Sequence, residues 1–180
     1  MNIRVIAGRY GGRVIEGSGT QRTHPMSERI RNALFNSLGS EIEGKKVLDV
    51  FAGSGALGLE ALSRGAEQVT FIERDRIAQR IIEKNIATLG VQESAKLVKA
   101  SASAFIGSTA ETYDIIFADP PFRDTQFSTV TALFSLLKPD ALMVLSYPGS
   151  SEMPTANGVV VVDNRSYGTA ALAFYRKKDA

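Results

Sequence analysis

The run Asp49-Val50-Phe51-Ala52-Gly53-Ser54-Gly55-Ala56-Leu57-Gly58 sets Gly53, Gly55 and Gly58 at G-x-G-x-x-G spacing, directly after an apolar stretch and before a helix-forming one. Glycines at a strand-to-helix turn let a ligand approach the backbone, and the helix start offers it unpaired N–H groups. Glu73 closes the next apolar stretch, where a carboxylate can accept two hydrogen bonds from ribose hydroxyls. These residues point to a nucleoside-containing cofactor, and by themselves they do not choose between a nicotinamide dinucleotide and S-adenosylmethionine. Asp119-Pro120-Pro121-Phe122 chooses. Two consecutive prolines hold the chain extended and donate no hydrogen bond, leaving the Asp119 carboxylate and the Pro120 carbonyl as paired acceptors. A planar exocyclic amine has two N–H groups for them. Holding both hydrogens out of the ring plane frees the nitrogen lone pair to attack a methyl sulfonium, while Phe122 stacks on the base. The plainer alternative for the tetrapeptide is a rigid Asp-Pro turn with a core Phe.

Charge supplies a second group. Residues 1–31 hold Arg4, Arg9, Arg13, Arg22, Arg29 and Arg31 against Glu16 and Glu28, a net of +4, whereas the whole chain carries only +2. Arginine forks onto phosphate oxygens, so this segment reads as a phosphate-binding surface or, more simply, as a solvated basic face. Arg165 and Tyr167 stand near Gly168, where they form either an RNA-contacting loop or an ordinary turn. His24 is the sole histidine and there is no cysteine, so thiol catalysis, disulfides, Fe–S clusters and cysteine zinc sites are excluded and no metal is expected. With 44% hydrophobic and 22% charged residues the chain can bury a core of its own. It has no apolar run of membrane-spanning length and no signal-peptide stretch, which predicts a cytoplasmic protein with no membrane partner.

The elements that must position these groups follow from periodicity. Ile3–Ala7 and Arg13–Ile15, separated by Gly8, Gly11 and Gly12, read as a short hairpin. Ser27 caps an amphipathic helix over 27–38 with Ile30, Ala33, Leu34 and Leu38 on one face. Then strands alternate with helices. Val47–Phe51, Val69–Glu73, Lys96–Lys99, Asp114–Asp119 and Leu142–Leu145 read as strands, and Ala56–Arg64, a segment from Asp75 to Gly90, and about Thr125–Leu137 as helices. Alternation of this kind predicts right-handed βαβ units in a parallel sheet covered on both faces. Val159–Val162 and Ala170–Tyr175, joined by Asn164–Gly168, leave no room for a helix and predict an antiparallel hairpin at one edge.

The pairing of DVFAGSGALG with DPPF resembles the amino-methylating class I S-adenosylmethionine-dependent methyltransferases. Arg4-Val5-Ile6-Ala7-Gly8, the block His24-Pro25-Met26-Ser27-Glu28-Arg29-Ile30-Arg31 running into Ala33-Leu34-Phe35-Asn36, and Gly55-Ala56-Leu57-Gly58-Leu59-Glu60-Ala61 are similar to the RsmD-type family, which methylates the N2 amine of a guanine in 16S ribosomal RNA. The similarity extends from the first hairpin to Tyr167-Gly168 and the last strand. It implies a Rossmann-like α/β fold with a mostly parallel seven-stranded sheet, helices on both faces, an antiparallel edge hairpin and a small N-terminal hairpin and helix arm. Residues 1–26 would be the basic arm and 27–180 the methyltransferase domain.

Carried over residue by residue, the resemblance implies that S-adenosylmethionine meets Pro25, Ser27, Asp49, Phe51, Gly53, Ser54, Gly55, Gly58, Glu73, Arg74, Ser101 and Ala102. Glu73 would hold the ribose, and Asp119, Pro120, Pro121 and Phe122 would grip the guanine amine. Arg9, Arg13, Arg22, His24, Arg29, Arg31, Arg165 and Tyr167 would contact RNA, with the arm beside the catalytic pocket. The sequence departs from the family at His24, where Arg is common, at Asn32, where Glu is, and at Ser101, where Asp or Asn usually meets the adenine amine. The implied partner of this monomer is 16S rRNA, alone or in a small ribosomal subunit. A nucleotide-dependent oxidoreductase leaves DPPF and the arginines without a task, a noncatalytic RNA-binding assembly protein leaves the site without one, and adenine N6 in DNA or a protein glutamine offers a similar amine.

Overall fold

The computed structural model describes residues 1–18 and 26–178. Strands β1 (Asn2–Arg4) and β2 (Val14–Glu16) form a two-stranded antiparallel sheet. Helix α1 (Glu28–Leu38) follows, capped by Ser27, whose Oγ accepts the Ile30 N–H at 3.2 Å. The main sheet contains β3 (Lys46–Val50), β4 (Gln68–Glu73), β5 (Ala95–Lys99), β6 (Tyr113–Ala118), β7 (Leu137–Pro148), β8 (Val159–Tyr167) and β9 (Ala170–Lys177). Its order is β5-β4-β3-β6-β7-β9-β8, parallel from β5 to β7, with β9 antiparallel to both β7 and β8. Helices α2 (Ala56–Ser63), α3 (Arg76–Leu89), α4 (Ala102–Ser108) and α5 (Phe127–Leu133) make the crossovers.

Side-chain alternation along the strands divides the core into two layers. Val47, Val69, Phe71, Ile115 and Phe117 pack with Leu34 and Phe35 of α1, Leu59 of α2 and Ile82 of α3. Leu48, Val50, Ile116, Met143 and Leu145 pack with Phe105 of α4 and Val130 and Leu133 of α5 on the other face. The strand order runs outward from β3 to β5 and then returns to β6, so right-handed crossovers must switch faces there. That reversal opens a crevice at the carboxyl ends of β3 and β6.

The arm joins the first of these layers. Ile3, Val5 and Ile15 are buried in it, and the Glu60 carboxylate of α2 accepts the Ile6 and Ala7 N–H groups at 2.9 and 3.1 Å and Arg64 Nε at 2.9 Å. Gly8, at φ 82°, is required where it stands, since a Cβ there would lie 2.0 Å from the Ser63 carbonyl oxygen.

Several element boundaries differ from the sequence reading. Helix α4 was not expected, because seven residues rich in Ser and Gly show too little periodicity and helix propensity to stand out. The helix read as about Thr125–Leu137 is α5 plus a 3₁₀ turn over Phe134–Leu136, and Leu137 already belongs to β7. Strand β8 continues through Asn164, Arg165 and Ser166, so the hairpin turns only at Gly168 and Thr169. A register shift between Val161 and Asp163 breaks the alternation that would have revealed the longer strand. Among the described residues no helix is long and apolar enough to cross a membrane.

Candidate active site

The crevice holds a cavity of about 1050 Å³, at the upper end of the range that takes drug-sized ligands. Its floor is the β3–α2 loop. Phe51 turns through a left-handed φ of 61°, and Gly53 and Gly55 follow at 58° and 83°. Such backbone is costly for Phe and persists where the surroundings enforce it. They do so here: the Ala52 N–H donates to the Ile72 carbonyl at 3.0 Å, the Gly55 N–H to the Ala52 carbonyl at 2.8 Å, and the Gly53 N–H to Glu73 Oε1 at 2.8 Å. No side chain from its own N-cap closes α2. Instead Asp49 reaches across from β3, its Oδ2 accepting the Gly58 N–H at 2.9 Å. Asp49 is fully buried, which raises its carboxyl well above the ordinary value, with Asp119 and Glu73 nearby adding to the effect.

Glu73 forms the side wall. Its Oε2 accepts the Asp75 N–H at 2.8 Å, so both oxygens are aimed by backbone donors and each keeps a lone pair for a diol. Burial raises this carboxyl too, against the pull of those hydrogen bonds. Asp75 caps α3, and Ser101 caps α4 by accepting the Ala104 N–H at 3.2 Å. Ser101 therefore enters the cavity wall with one lone pair already engaged.

Opposite lies the β6–α5 loop. Asp119 opens onto the cavity but is otherwise enclosed by protein, and that desolvation pushes its carboxyl up to about 7, with a hydrogen bond from Ser146 pulling the other way. Among the described residues no donor reaches the Pro120 carbonyl, whereas the Pro121 carbonyl accepts the Asp124 N–H at 3.0 Å. Phe122 is 42% exposed at the mouth, so it is not a core Phe.

The structure brings together, on this cavity, Ser27, Asp49, Phe51, Gly53, Ser54, Glu73, Arg74, Ser101 and Ala102 with Asp119, Pro120, Pro121 and Phe122. Gly55 and Gly58 stand behind the lining. A Cβ on Gly58 would lie 2.3 Å from Phe71 Cε1, so this glycine lets α2 settle onto β4 and does not face a ligand. Pro25, Arg22 and His24 lie outside the described residues.

The basic residues expected to meet RNA are scattered. Arg9 and Arg13 are not beside the cavity: the Arg9 N–H donates to the carbonyl of Ser63 and the Arg13 guanidinium to that of Thr88, at the last turns of α2 and α3. Those turns lie at the amino ends of the strands, about 20 Å from the cavity by the length of α3 and about 10 Å by that of α2. Arg31 is 2% exposed, donates to the Arg4 carbonyl at 2.6 Å and lies 3.8 Å from Glu60, so it is a buried wall residue. Arg165 is on β8 and not in a turn, donating to Asp163 at 2.8 Å and to Ser37 at 2.6 Å, and Tyr167 packs half-buried on the core. Arg29 is exposed at the start of α1.

Sequence reasoning missed Ser146 and Ala170, which line the cavity from β7 and β9. Only a serine inside the apolar run Ala141–Tyr147 hints at the first.

A nucleoside bearing an amino-acid tail fits this donor set: backbone turns at Gly53 and Ser54, a diol acceptor at Glu73, apolar faces on Phe51 and Ile72, and space beyond them for a second planar group against Phe122.

A family model described as "Conserved hypothetical protein 95" matches residues 3–176. Ribosomal RNA small subunit methyltransferase D of Escherichia coli is 43% identical over 121 residues, 67% of this chain and 61% of that protein. The protein of the same name from Haemophilus influenzae is 31% identical over 180 residues, covering 97% of this chain and 93% of its own. The solved structure of yhhF from Escherichia coli, named as a candidate methyltransferase, superposes with a TM-score of 0.88 at 33% identity over 100% of both chains.

Proposed function

The chain belongs to the RsmD-type methyltransferase family, and from that membership we propose that it methylates the exocyclic N2 amine of a guanine in 16S ribosomal RNA, with S-adenosylmethionine as donor. In this reading it acts as a monomer in the cytoplasm, on the RNA of an assembling or assembled small subunit. The observation that carries the reading is the pair of acceptors at Asp119 and Pro120, set on the same cavity as the Glu73 and Gly53 latch.

Bound S-adenosylmethionine supplies an electrophilic methyl on a positive sulfonium. The protein does the rest by position. Gly53 and Ser54 leave room for the amino-acid portion, and Glu73 accepts from the ribose hydroxyls. Asp119 Oδ and the Pro120 carbonyl take the two amine hydrogens, which turns the nitrogen lone pair out of conjugation and toward the methyl. Phe122 covers the base and keeps water from the reacting nitrogen. An amine that takes up the methyl, while the S–C bond breaks and its electron pair leaves with the sulfur of S-adenosylhomocysteine, would become strongly acidic, and the Asp119 carboxylate on the same cavity would hold the departing proton.

The test is tritium transfer from labelled S-adenosylmethionine to unmethylated small-subunit RNA and to whole subunits, followed by nucleoside analysis. The expected product is N2-methylguanosine. Label on adenosine or on protein glutamine overturns the guanine assignment, and absence of transfer to either substrate overturns the reading as a whole.

A further inference from the structure

A second cleft, of about 300 Å³, lies beside the active-site end of the sheet, between the first turns of α3 and the carboxyl end of β5. Arg76, Gln79, Arg80, Glu83 and Lys99 line it. Arg76 and Arg80 are one helical turn apart, so their guanidinium groups share a face. Both are exposed, and among the described residues neither has an acidic partner. The one carboxylate in the cleft, Glu83, is engaged by Lys99 at 2.8 Å. Three cations therefore face one carboxylate, with two arginine forks left over.

The position of the cleft gives that surplus a use. Gln79 is buried and donates to the Glu73 carbonyl at 2.9 Å, which locks the arginine-bearing turn to the strand end that carries the proposed ribose acceptor. Arg74 and Asp75, next to Arg76 in the chain, line the main cavity, as do Ala100 and Ser101, next to Lys99. The exposed cations Arg74, Arg76 and Arg80 thus lead from the cavity mouth to the cleft. Among the described residues Arg9 and Arg13 offer no such path, since the Arg9 N–H and the Arg13 guanidinium bond at the opposite end of the sheet, and Arg31 of α1 is buried.

We infer that this cleft binds the phosphate backbone of the substrate RNA, Arg76 and Arg80 each engaging one phosphate while the target base occupies the main cavity. The inference rests on the reading of the protein as an RNA methyltransferase. Guanidinium forks match phosphate oxygens in geometry, and counterion release makes such contacts visible as salt dependence.

The experiment compares the full-length protein with Arg76→Gln/Arg80→Gln, measuring binding to a small-subunit RNA fragment over a range of salt, KM for RNA and affinity for S-adenosylhomocysteine. The slope of log affinity against log salt is expected to fall by about 1.4, from a coefficient of about 0.7 per single-strand phosphate. Affinity at fixed salt falls at least about tenfold, KM for RNA rises, and S-adenosylhomocysteine affinity is unmoved. Glu83→Gln, which frees Lys99, shifts slope and affinity the other way. If the wild type methylates RNA and the double variant matches it in slope and KM, the cleft is overturned and the RNA reading stands. A wild type that neither binds nor methylates RNA overturns both.

Discussion

At the scale of single residues, Asp119 combines two requirements that oppose each other. In the proposed reaction it accepts from the amine most strongly, and takes up its proton, when ionised, yet it sits where burial pushes its carboxyl up to about 7. With S-adenosylmethionine below saturation, kcat/KM is therefore expected to rise with pH through about 7 and then level, and a saturating donor shifts the inflection down because its positive sulfonium favours the carboxylate. Asp119→Asn removes the inflection and lowers turnover by at least about tenfold, the worth of one hydrogen bond to a charged group. The same burial predicts an effect of opposite sign on stability. The native carboxyl holds its proton more tightly than the unfolded one, so ionising it as pH climbs from about 4 to about 7 costs folding free energy that Asn does not lose. The variant should melt above the wild type at pH 8 and level with it near pH 3.5. Equal pH–rate profiles for the two proteins would remove Asp119 from the chemistry.

At the scale of elements, two contacts hold the site together from outside it. Glu60, on α2, is shared by the arm through Ile6 and Ala7, by α1 through Arg31, and by Arg64 on its own helix. Removing one partner of a buried charge pair costs about 3–5 kcal/mol, because the remaining charge is left uncompensated. Glu60→Ala is expected to unfold that much more readily, and the milder Glu60→Gln to release first the Ile6 and Ala7 amides, read by hydrogen exchange. The second contact is Gly58 against Phe71. Gly58→Ala should cost about 1–3 kcal/mol by overpacking, read by urea unfolding, and Gly58→Ala/Phe71→Leu should recover part of it. If Phe71→Leu brings no recovery, the spacing of α2 on β4 is not what Gly58 sets. The glycine was visible in the motif, but its task was not, because spacing along the chain does not say which of three glycines faces the ligand and which faces the sheet.

At the scale of the whole molecule, a ligand that binds only the folded state at a hundred times its dissociation constant adds about 2.7 kcal/mol. S-adenosylhomocysteine should therefore raise Tm by roughly 5–10 °C for a chain of this size, and NADH should leave it unchanged. The reverse pattern would return the glycine loop to a dinucleotide enzyme. The fold and the heart of the cavity were legible in the residues themselves: strand and helix periods, glycines at a turn, Glu73 and Asp119 at strand ends. These are local signals, and the right-handed crossover rule converts them into a sheet whose carboxyl edge carries the ligand. Charge was legible only as a sum. The segment 1–31 holds six arginines, but its first hairpin folds back along α2 and α3, so the Arg13 guanidinium bonds a helix carbonyl at the far end of the sheet, the Arg9 guanidinium lies over Tyr10 beside the last turn of α2, and Arg31 is buried against Glu60. Arg76 and Arg80 drew no notice in a segment where acidic residues are interspersed, and only the placement of α3 beside β5 set them in one cleft with Lys99. Periodicity is a property of neighbours along the chain and can be read there, whereas the direction a charged side chain takes depends on partners distant in sequence, which only the packed structure supplies.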